Sequence, residues 1–385
     1  MKKNKILLKN GKIYTPNIVI ENGYMTIDSD GKVTAIGSNE ELQSTENVEF
    51  VIDLEGKQLL PGFIDVHIHG GNGDSFMDGS IESIENITKY HAKHGTTSLL
   101  ATTTTSSKDK ILKAIEEIVK AKSIGVDGAD IIGIHLEGPF INEKRSGAQD
   151  KKTVLAPDIE ILNEFIAAAA GTMRLVTLAP EVEHGIELVK YLVENKITVS
   201  AGHSDASYNE TVMAVKEGVS HTTHHFNGMR PIHHRDPGLA GAGILLSKLT
   251  TELIADGIHV HPEMIKLLFQ MKGSRNVCLI TDAVFCAGLQ DGEYEKVTVK
   301  NGEVYLNDSS TLAGSSLTTI KAFKNVIQFT GMSVEDILPS LTQVPARQAG
   351  VEHIKGSLEV GKDADFLILD ENLDLVSTYV RGNKI

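Results

Sequence analysis

The middle of the chain alternates short apolar runs with longer stretches whose apolar positions recur every three or four residues. Runs of the first kind predict strands, and stretches of the second kind predict amphipathic helices. Their alternation favours a parallel sheet with helical crossovers, and eight strands are the number that closes a (β/α)8 TIM barrel. The eight predicted strands are 62–69, 97–103, 131–137, 174–179, 198–203, 220–225, 252–256 and 276–282.

The first sixty residues follow a different pattern, in which short apolar segments are separated by Asn-Gly and Asp-Gly pairs. Such pairs supply the positive-φ residues that hairpin turns need. The C-terminal end adds similar strand-like segments. We therefore expect both chain ends to fold together as a small β-sandwich domain, residues 1–59 plus 355–385, with the barrel inserted between them as residues 60–354.

Composition narrows the classes of partner. The 385 residues carry a net charge of −14 and no cluster of lysine or arginine that would neutralise a nucleic-acid backbone, so we expect no nucleic-acid partner. The apolar run near the start is too short for a signal peptide or a spanning helix, which makes a cytoplasmic protein without membrane contact the expectation. Two cysteines are too few for a disulfide framework.

Histidine and carboxylate side chains lie at the ends of six of the eight predicted strands. In such barrels the reactive residues lie at the carboxyl ends of the strands, so these side chains should meet at one mouth. Because strand side chains alternate between faces, His67 and His69 at the end of the first strand project to the same side. The other residues in this set are Glu137, His203, His224, Asp256 and Asp282.

Ligands of this kind suit a divalent cation such as zinc, iron or manganese. A catalytic ion needs about three protein ligands and an open position, and Glu137, His203 and His224 supply the three. His67 and His69 could hold a second ion with Glu137 as the bridge. The expectation is therefore one or two divalent ions per chain.

Asp282 is not needed to complete the ligand sets named above. A carboxylate beside a metal-activated water is suited to take the proton of that water, so we predict Asp282 as a general base. A ligand role or a helix-capping role is its alternative.

Residues 60–70, which read LPGFIDVHIHG, resemble the opening motif of the amidohydrolase superfamily. Its members combine a metal-bearing barrel with a β-sandwich made from both chain ends. Within that superfamily, six further motifs in order resemble the family of N-acetylglucosamine-6-phosphate deacetylases. They are HLEGPF at 135–140, AGHSDA at 201–206, THHFNGM at 223–229, DGIHV at 256–260, TDA at 281–283 and LAGS at 312–315.

The resemblance implies a hydrolase that removes the acetyl group from N-acetylglucosamine 6-phosphate, giving glucosamine 6-phosphate and acetate. It implies Glu137, His203 and His224 as the main metal ligands and Asp282 as the catalytic residue. The alternatives are another enzyme of the same superfamily, such as a cyclic amidase, a dipeptidase or a deaminase, and a non-catalytic barrel scaffold.

The resemblance also implies the residues that bind the phosphorylated amino sugar, and it suggests a homodimer. Arg235 and His259 would be partners of the sugar phosphate. Some members carry a histidine where Gln149 stands, so this contact is expected to differ here. The implied substrate-binding residues are Ala148, Gln149, Asn227, Gly228, Arg235, Asp256, His259, Leu312, Ala313 and Gly314.

Overall fold

The computed structural model describes residues 4–42, 48–307 and 310–385 and contains the predicted barrel. Its eight strands are parallel, and strands that follow one another along the chain are neighbours in the sheet. The strands are Phe63–Ile68, Thr96–Thr103, Asp130–Glu137, Met173–Leu178, Thr198–Ala201, His221–Thr222, Thr250–Ile254 and Val277–Ile280.

The ring closes between the first and the eighth strand. The Asp282 amide donates to the His67 carbonyl at 2.9 Å, and the His69 amide donates to the Ala283 carbonyl at 2.8 Å. All eight predicted strands are confirmed, although six of them end one to three residues earlier than predicted. Several of the predicted site residues therefore lie in the connections just beyond the strands.

Each barrel strand is followed by a helix, and most of these helices pack one apolar stripe against the sheet. In the second helix the stripe is Ile111, Ile115 and Ile118, spaced four and three residues apart and fully buried. Among the described residues no helix is long and apolar enough to cross a membrane. The helices are Ile81–Ala92, Lys108–Ile124, Ile159–Ala168, Gly185–Glu194, Tyr208–Glu217, Gly238–Leu245, Pro262–Lys272 and Thr319–Thr330, followed by Val334–Leu341 and Gln343–Gln348.

Both chain ends build one eight-stranded sheet, as expected. Strand Gln58–Pro61 pairs antiparallel with Phe366–Leu369, which joins the two ends directly. Buried Lys355 lies 2.7 Å from Asp365 of the terminal region and 3.1 Å from Asp130 of the barrel. The boundaries between the two domains stay a prediction. The other strands of this sheet are Asn4–Tyr14, Val19–Asp28, Val33–Ser38, Phe50–Asp53, Leu375–Val380 and Asn383–Lys384.

Two small antiparallel sheets lie near the carboxyl ends of the barrel strands. Gly70–Gly71 pairs with Asp74–Ser75 directly after the first strand. Strands Gly292–Glu293, Val297–Lys300 and Glu303–Leu306 form an excursion between the eighth strand and its helix. This excursion has its own small apolar cluster and contributes one wall of the cavity described next.

Candidate active site

A cavity of about 490 Å³ opens where the barrel strands end. Val284, Phe285, Val297 and Leu306 give it an apolar wall. Most of the predicted site residues line it, whereas His67 is fully buried and lies outside the lining. The lining residues among the predicted set are His69, Glu137, Ala148, Gln149, His203, His224, Asn227, Gly228, His259, Asp282, Leu312, Ala313 and Gly314.

Three of these side chains converge on one point. His203 Nε2 and His224 Nε2 lie 3.1 Å apart, and each is 3.2 Å from Glu137 Oε1. The Nδ1 of His203 donates to the Arg145 carbonyl at 2.8 Å, and the Nδ1 of His224 donates to the Asn227 carbonyl at 3.0 Å. These three residues form what we call the first ligand cluster.

The protonation of the first ligand cluster makes it suited to a cation. A carbonyl oxygen only accepts hydrogen bonds, so each ring carries its proton on Nδ1 and presents a lone pair at Nε2. Two lone pairs and a carboxylate oxygen that face one another repel unless positive charge lies between them. Two imidazoles and one carboxylate are also a common donor set of catalytic divalent ions.

A second ligand cluster, His67, His69 and Asp282, lies on the other side of Glu137. The Nε2 atoms of His67 and His69 are 3.2 Å apart, and Asp282 Oδ1 is 3.2 Å from His69 Nε2 and 3.5 Å from His67 Nε2. Glu137 Oε2 lies 3.3 Å from His69 Nε2, while Oε1 belongs to the first ligand cluster and also lies 3.4 Å from His67 Nε2. Glu137 thus contacts both clusters, and its Oε1 is close to members of each.

The electrostatics of the site favour positive charge. Burial alone would raise the pKa of Glu137, but His67, His203 and His224 hold that pKa well below its ordinary value. Burial would also raise the pKa of Asp282, yet His67 and His69 keep it lowered. Conversely, burial lowers the pKa of His69, but Asp282 and Glu137 outweigh it and raise this pKa to about 9. Buried ionised carboxylates among imidazoles are what a bound divalent ion requires.

Three site residues adopt a left-handed backbone immediately after their strands. His203, His224 and Asp282 have φ values of +47°, +28° and +51°. This conformation is unfavourable for residues with a side chain and is concentrated at functional sites. Gly228 follows in the same loop as His224, and a Cβ there would lie 3.1 Å from His203 Nδ1 and 3.2 Å from His224 Cε1. Glycine at position 228 therefore lets the chain pass close to both ligand rings.

Three of the implied substrate-binding residues have contacts that the sequence did not indicate. Gln149 donates from Nε2 to Glu137 Oε2 at 2.5 Å, so it contacts a ligand as well as lining the cavity. Asp256 does not line the cavity and instead accepts from Nδ1 of His259 at 2.6 Å. Arg235 is exposed, also lies outside the lining, and contacts His234 at 2.7 Å.

The structure adds one residue that the sequence analysis passed over. Glu252 is fully buried in the seventh barrel strand and lies 2.9 Å from His67 Nδ1. The available signal was a glutamate inside the short strand Thr250–Ile254, because a carboxylate is almost never fully buried unless it is paired.

Comparison with known proteins agrees with this geometry. Residues 58–385 match the amidohydrolase family. The chain is 40% identical to the N-acetylglucosamine-6-phosphate deacetylase of Bacillus subtilis (strain 168), over 98% of this chain and 96% of that protein. It is 34% identical to the N-acetylgalactosamine-6-phosphate deacetylase of Escherichia coli O157:H7, over 86% of this chain and 89% of that protein.

A solved structure extends the similarity to the whole fold. The crystal structure of N-acetyl-D-glucosamine-6-phosphate deacetylase from Mycobacterium smegmatis has a TM-score of 0.92 with this chain and 29% identity, and the match covers 99% of this chain and 100% of that chain. The similarity therefore includes both the barrel and the sheet built by the two chain ends. On these grounds the chain belongs to the N-acetylglucosamine-6-phosphate deacetylase family of amidohydrolases.

Proposed function

We propose that Glu137, His203 and His224 hold a divalent ion, and that Asp282 moves the protons, while this chain hydrolyses the acetamide of N-acetylglucosamine 6-phosphate. The products are glucosamine 6-phosphate and acetate. The observation that supports the residue roles is the convergence of two imidazole nitrogens and one carboxylate oxygen beside Asp282 in a chain of this family. A charged sugar phosphate does not cross an apolar bilayer unaided. We therefore also propose the cytoplasm as the compartment of this protein.

The reaction needs a proton acceptor and a proton donor at the same place. A divalent ion held by the first ligand cluster would lower the pKa of water and polarise the acetamide carbonyl. Asp282 accepts the proton of the attacking water as the water oxygen bonds to the acetyl carbon. It then donates this proton to the sugar nitrogen as the carbon–nitrogen bond breaks. Its lowered pKa keeps Asp282 in the basic form at the start of the cycle.

The position of Glu137 supports two ions rather than one. Its Oε1 lies 3.2 Å from the Nε2 atoms of His203 and His224 and 3.4 Å from His67 Nε2, and its Oε2 lies 3.3 Å from His69 Nε2. We therefore propose a second ion held by His67 and His69, with Glu137 bridging the two positions. Zinc, iron and manganese all accept this donor set.

The phosphate of the substrate needs positive charge that the cavity itself lacks. Among the described residues that line it there is neither lysine nor arginine. Burial lowers the pKa of His259, but its bond to Asp256 outweighs this and raises that pKa above its ordinary value. This direction favours an imidazole that donates a hydrogen bond to the phosphate while it is paired with the Asp256 carboxylate. We propose a homodimer in which the partner subunit's Arg235 supplies the positive charge.

Arg235→Ala is expected to raise the KM for the phosphorylated sugar by about 10- to 100-fold, because a hydrogen bond to a charged group contributes about 1.5–3 kcal/mol. The unphosphorylated sugar makes no such contact, so its kcat/KM should stay the same. Steady-state kinetics with both sugars measures the difference. An equal effect on both would remove Arg235 from phosphate binding.

Mixed dimers distinguish an arginine that acts across the interface from one that acts within its own chain. Coexpressed Arg235→Ala and Asp282→Asn chains should regain about half of the wild-type activity per mixed dimer, because one site then has its own Asp282 and the partner's Arg235. Restoration fails if Arg235 serves only its own chain. Light scattering on the same sample gives the oligomeric state.

The function itself is tested by steady-state release of acetate from N-acetylglucosamine 6-phosphate. N-acetylgalactosamine 6-phosphate belongs in the same panel, since one relative carries that name. Cyclic amides, dipeptides and nucleobases test the other enzyme classes. Absence of acetate release from a sample with full metal occupancy would contradict the proposal and favour the non-catalytic scaffold or one of the other hydrolases.

A further inference from the structure

Glu252 occupies an unusual position beneath the two ligand clusters. It lies in the strand Thr250–Ile254, is fully buried, and is absent from the lining of the cavity. It therefore does not contact substrate. Both of its carboxylate oxygens are nevertheless engaged by groups that belong to the metal site or adjoin it.

One oxygen of Glu252 is shared by both ligand clusters. Oε2 accepts from Nδ1 of His67 at 2.9 Å and from the backbone amide of His224 at 2.9 Å. The other oxygen, Oε1, accepts from Nε2 of His221 at 3.0 Å. A buried carboxylate is costly unless such donors compensate it, so its presence here calls for a specific role.

The contact with His67 decides which ring nitrogen is available for a metal. A carboxylate that accepts from Nδ1 keeps the proton there and leaves Nε2 with its lone pair. That Nε2 faces the other members of the second ligand cluster and lies 3.2 Å from His69 Nε2. We propose that Glu252 is a positioning residue that orients His67 and holds the backbone of His224, so that one buried carboxylate links the two halves of the metal site.

The two clusters depend on Glu252 to different degrees. The His67 ring takes its orientation from Glu252 directly. The His224 ring is held by the Asn227 carbonyl at 3.0 Å, and Glu252 contacts only its backbone amide. Loss of the carboxylate should therefore weaken the ion of the second ligand cluster far more than the ion of the first. This inference rests on the ligand assignments of the proposed function.

Glu252→Gln tests the link because it keeps the size of the side chain and removes the charge. The full-length chain is stripped with a chelator and titrated with zinc in competition with a chromophoric chelator. Wild type should bind two ions. The variant should bind the first with unchanged affinity and the second about 10- to 100-fold more weakly, the usual effect of removing the partner of a ligand histidine.

Glu181→Gln is the matched control. This half-buried carboxylate accepts from the side chains of Asn142 and Ser204 and from the backbone amide of Asp205 at 2.6–2.8 Å, and it contacts neither ligand cluster. Zinc binding by this variant should equal that of wild type. Two ions bound by Glu252→Gln with wild-type affinities, equal weakening of both ions, or a single ion in wild type would each overturn the inference.

If Glu252→Gln does not fold, a measurement on the wild-type chain still tests the inference. Nitrogen-15 NMR of histidine-labelled, zinc-loaded wild type should show His67 with its proton on Nδ1, and the His67→Gln spectrum assigns the signal. A proton on Nε2 would overturn the inference. Acetate release by wild type tests the proposed function separately, since a deacetylase with one ion would retain the function and lose this inference.

Discussion

Asp282→Asn is expected to lower kcat for acetate release about 10³- to 10⁴-fold, the upper part of the range for general acid–base catalysis. An asparagine amide has nearly the same shape as the carboxylate but cannot take the proton of the attacking water. The first ligand cluster is intact in this variant, so the ion held by Glu137, His203 and His224 should remain. Steady-state kinetics and elemental analysis of the same sample measure both quantities.

Asp65→Asn is the control for this prediction. Asp65 is fully buried beside the eighth strand, accepts from Thr281 Oγ1 at 2.6 Å, and does not line the cavity. Burial raises its pKa to about 7. It also accepts from the backbone amide of His67 at 3.2 Å, and it reaches no reacting group in the cavity, so turnover should change far less. Near-normal turnover of Asp282→Asn would remove Asp282 from its role, and loss of an ion together with turnover would favour the ligand role instead.

Glu137→Ala should have an effect at least as large, because this residue contacts both ligand clusters. Loss of the ion removes several kcal/mol of transition-state stabilisation, and each 1.4 kcal/mol is a factor of ten in rate. We therefore expect kcat/KM to fall by at least about 10³-fold. Removal of metal from wild type with a chelator should give a loss of the same size.

Adding zinc back distinguishes wild type that has lost its ion from the Glu137→Ala variant, which has lost a ligand. Stripped wild type should regain its activity when zinc is restored, whereas Glu137→Ala should not, and its zinc content after dialysis should fall below that of wild type. Full turnover by a sample that elemental analysis shows to be free of metal would contradict the assignment of a metal to this site.

The barrel and the position of its site could be predicted because their signals are local. Apolar runs of strand length, separated by helical stretches, are properties of neighbouring residues. The carboxyl ends of parallel strands also meet at one edge of a sheet, so residues such as Glu137 and His203 could be grouped without knowing any distance. The structure brings Glu137, His203 and His224 within hydrogen-bonding distance of one another, although their catalytic roles remain proposals.

Other contacts could not be predicted, because no local pattern indicates them. Glu252 lies 185 residues from His67, and nothing near it in the chain shows that its carboxylate meets that ring. Gln149 and Asp256 were expected to bind the substrate, yet their side chains bond to Glu137 and His259. Arg235 was expected at the phosphate, but the loop that carries it leaves the side chain exposed.

The sequence by itself therefore determined the barrel, the joining of the two chain ends, and the set of side chains at the mouth, because periodicity and strand order specify them. Only the tertiary structure decided that Asp282 lies with His67 and His69, and which group accepts from the Nδ1 of His67, His203 and His224. These contacts depend on the closing of the ring at His67 and Asp282 and on the left-handed turns at His203 and His224. Long-range packing stabilises such strained conformations, and no local pattern encodes them.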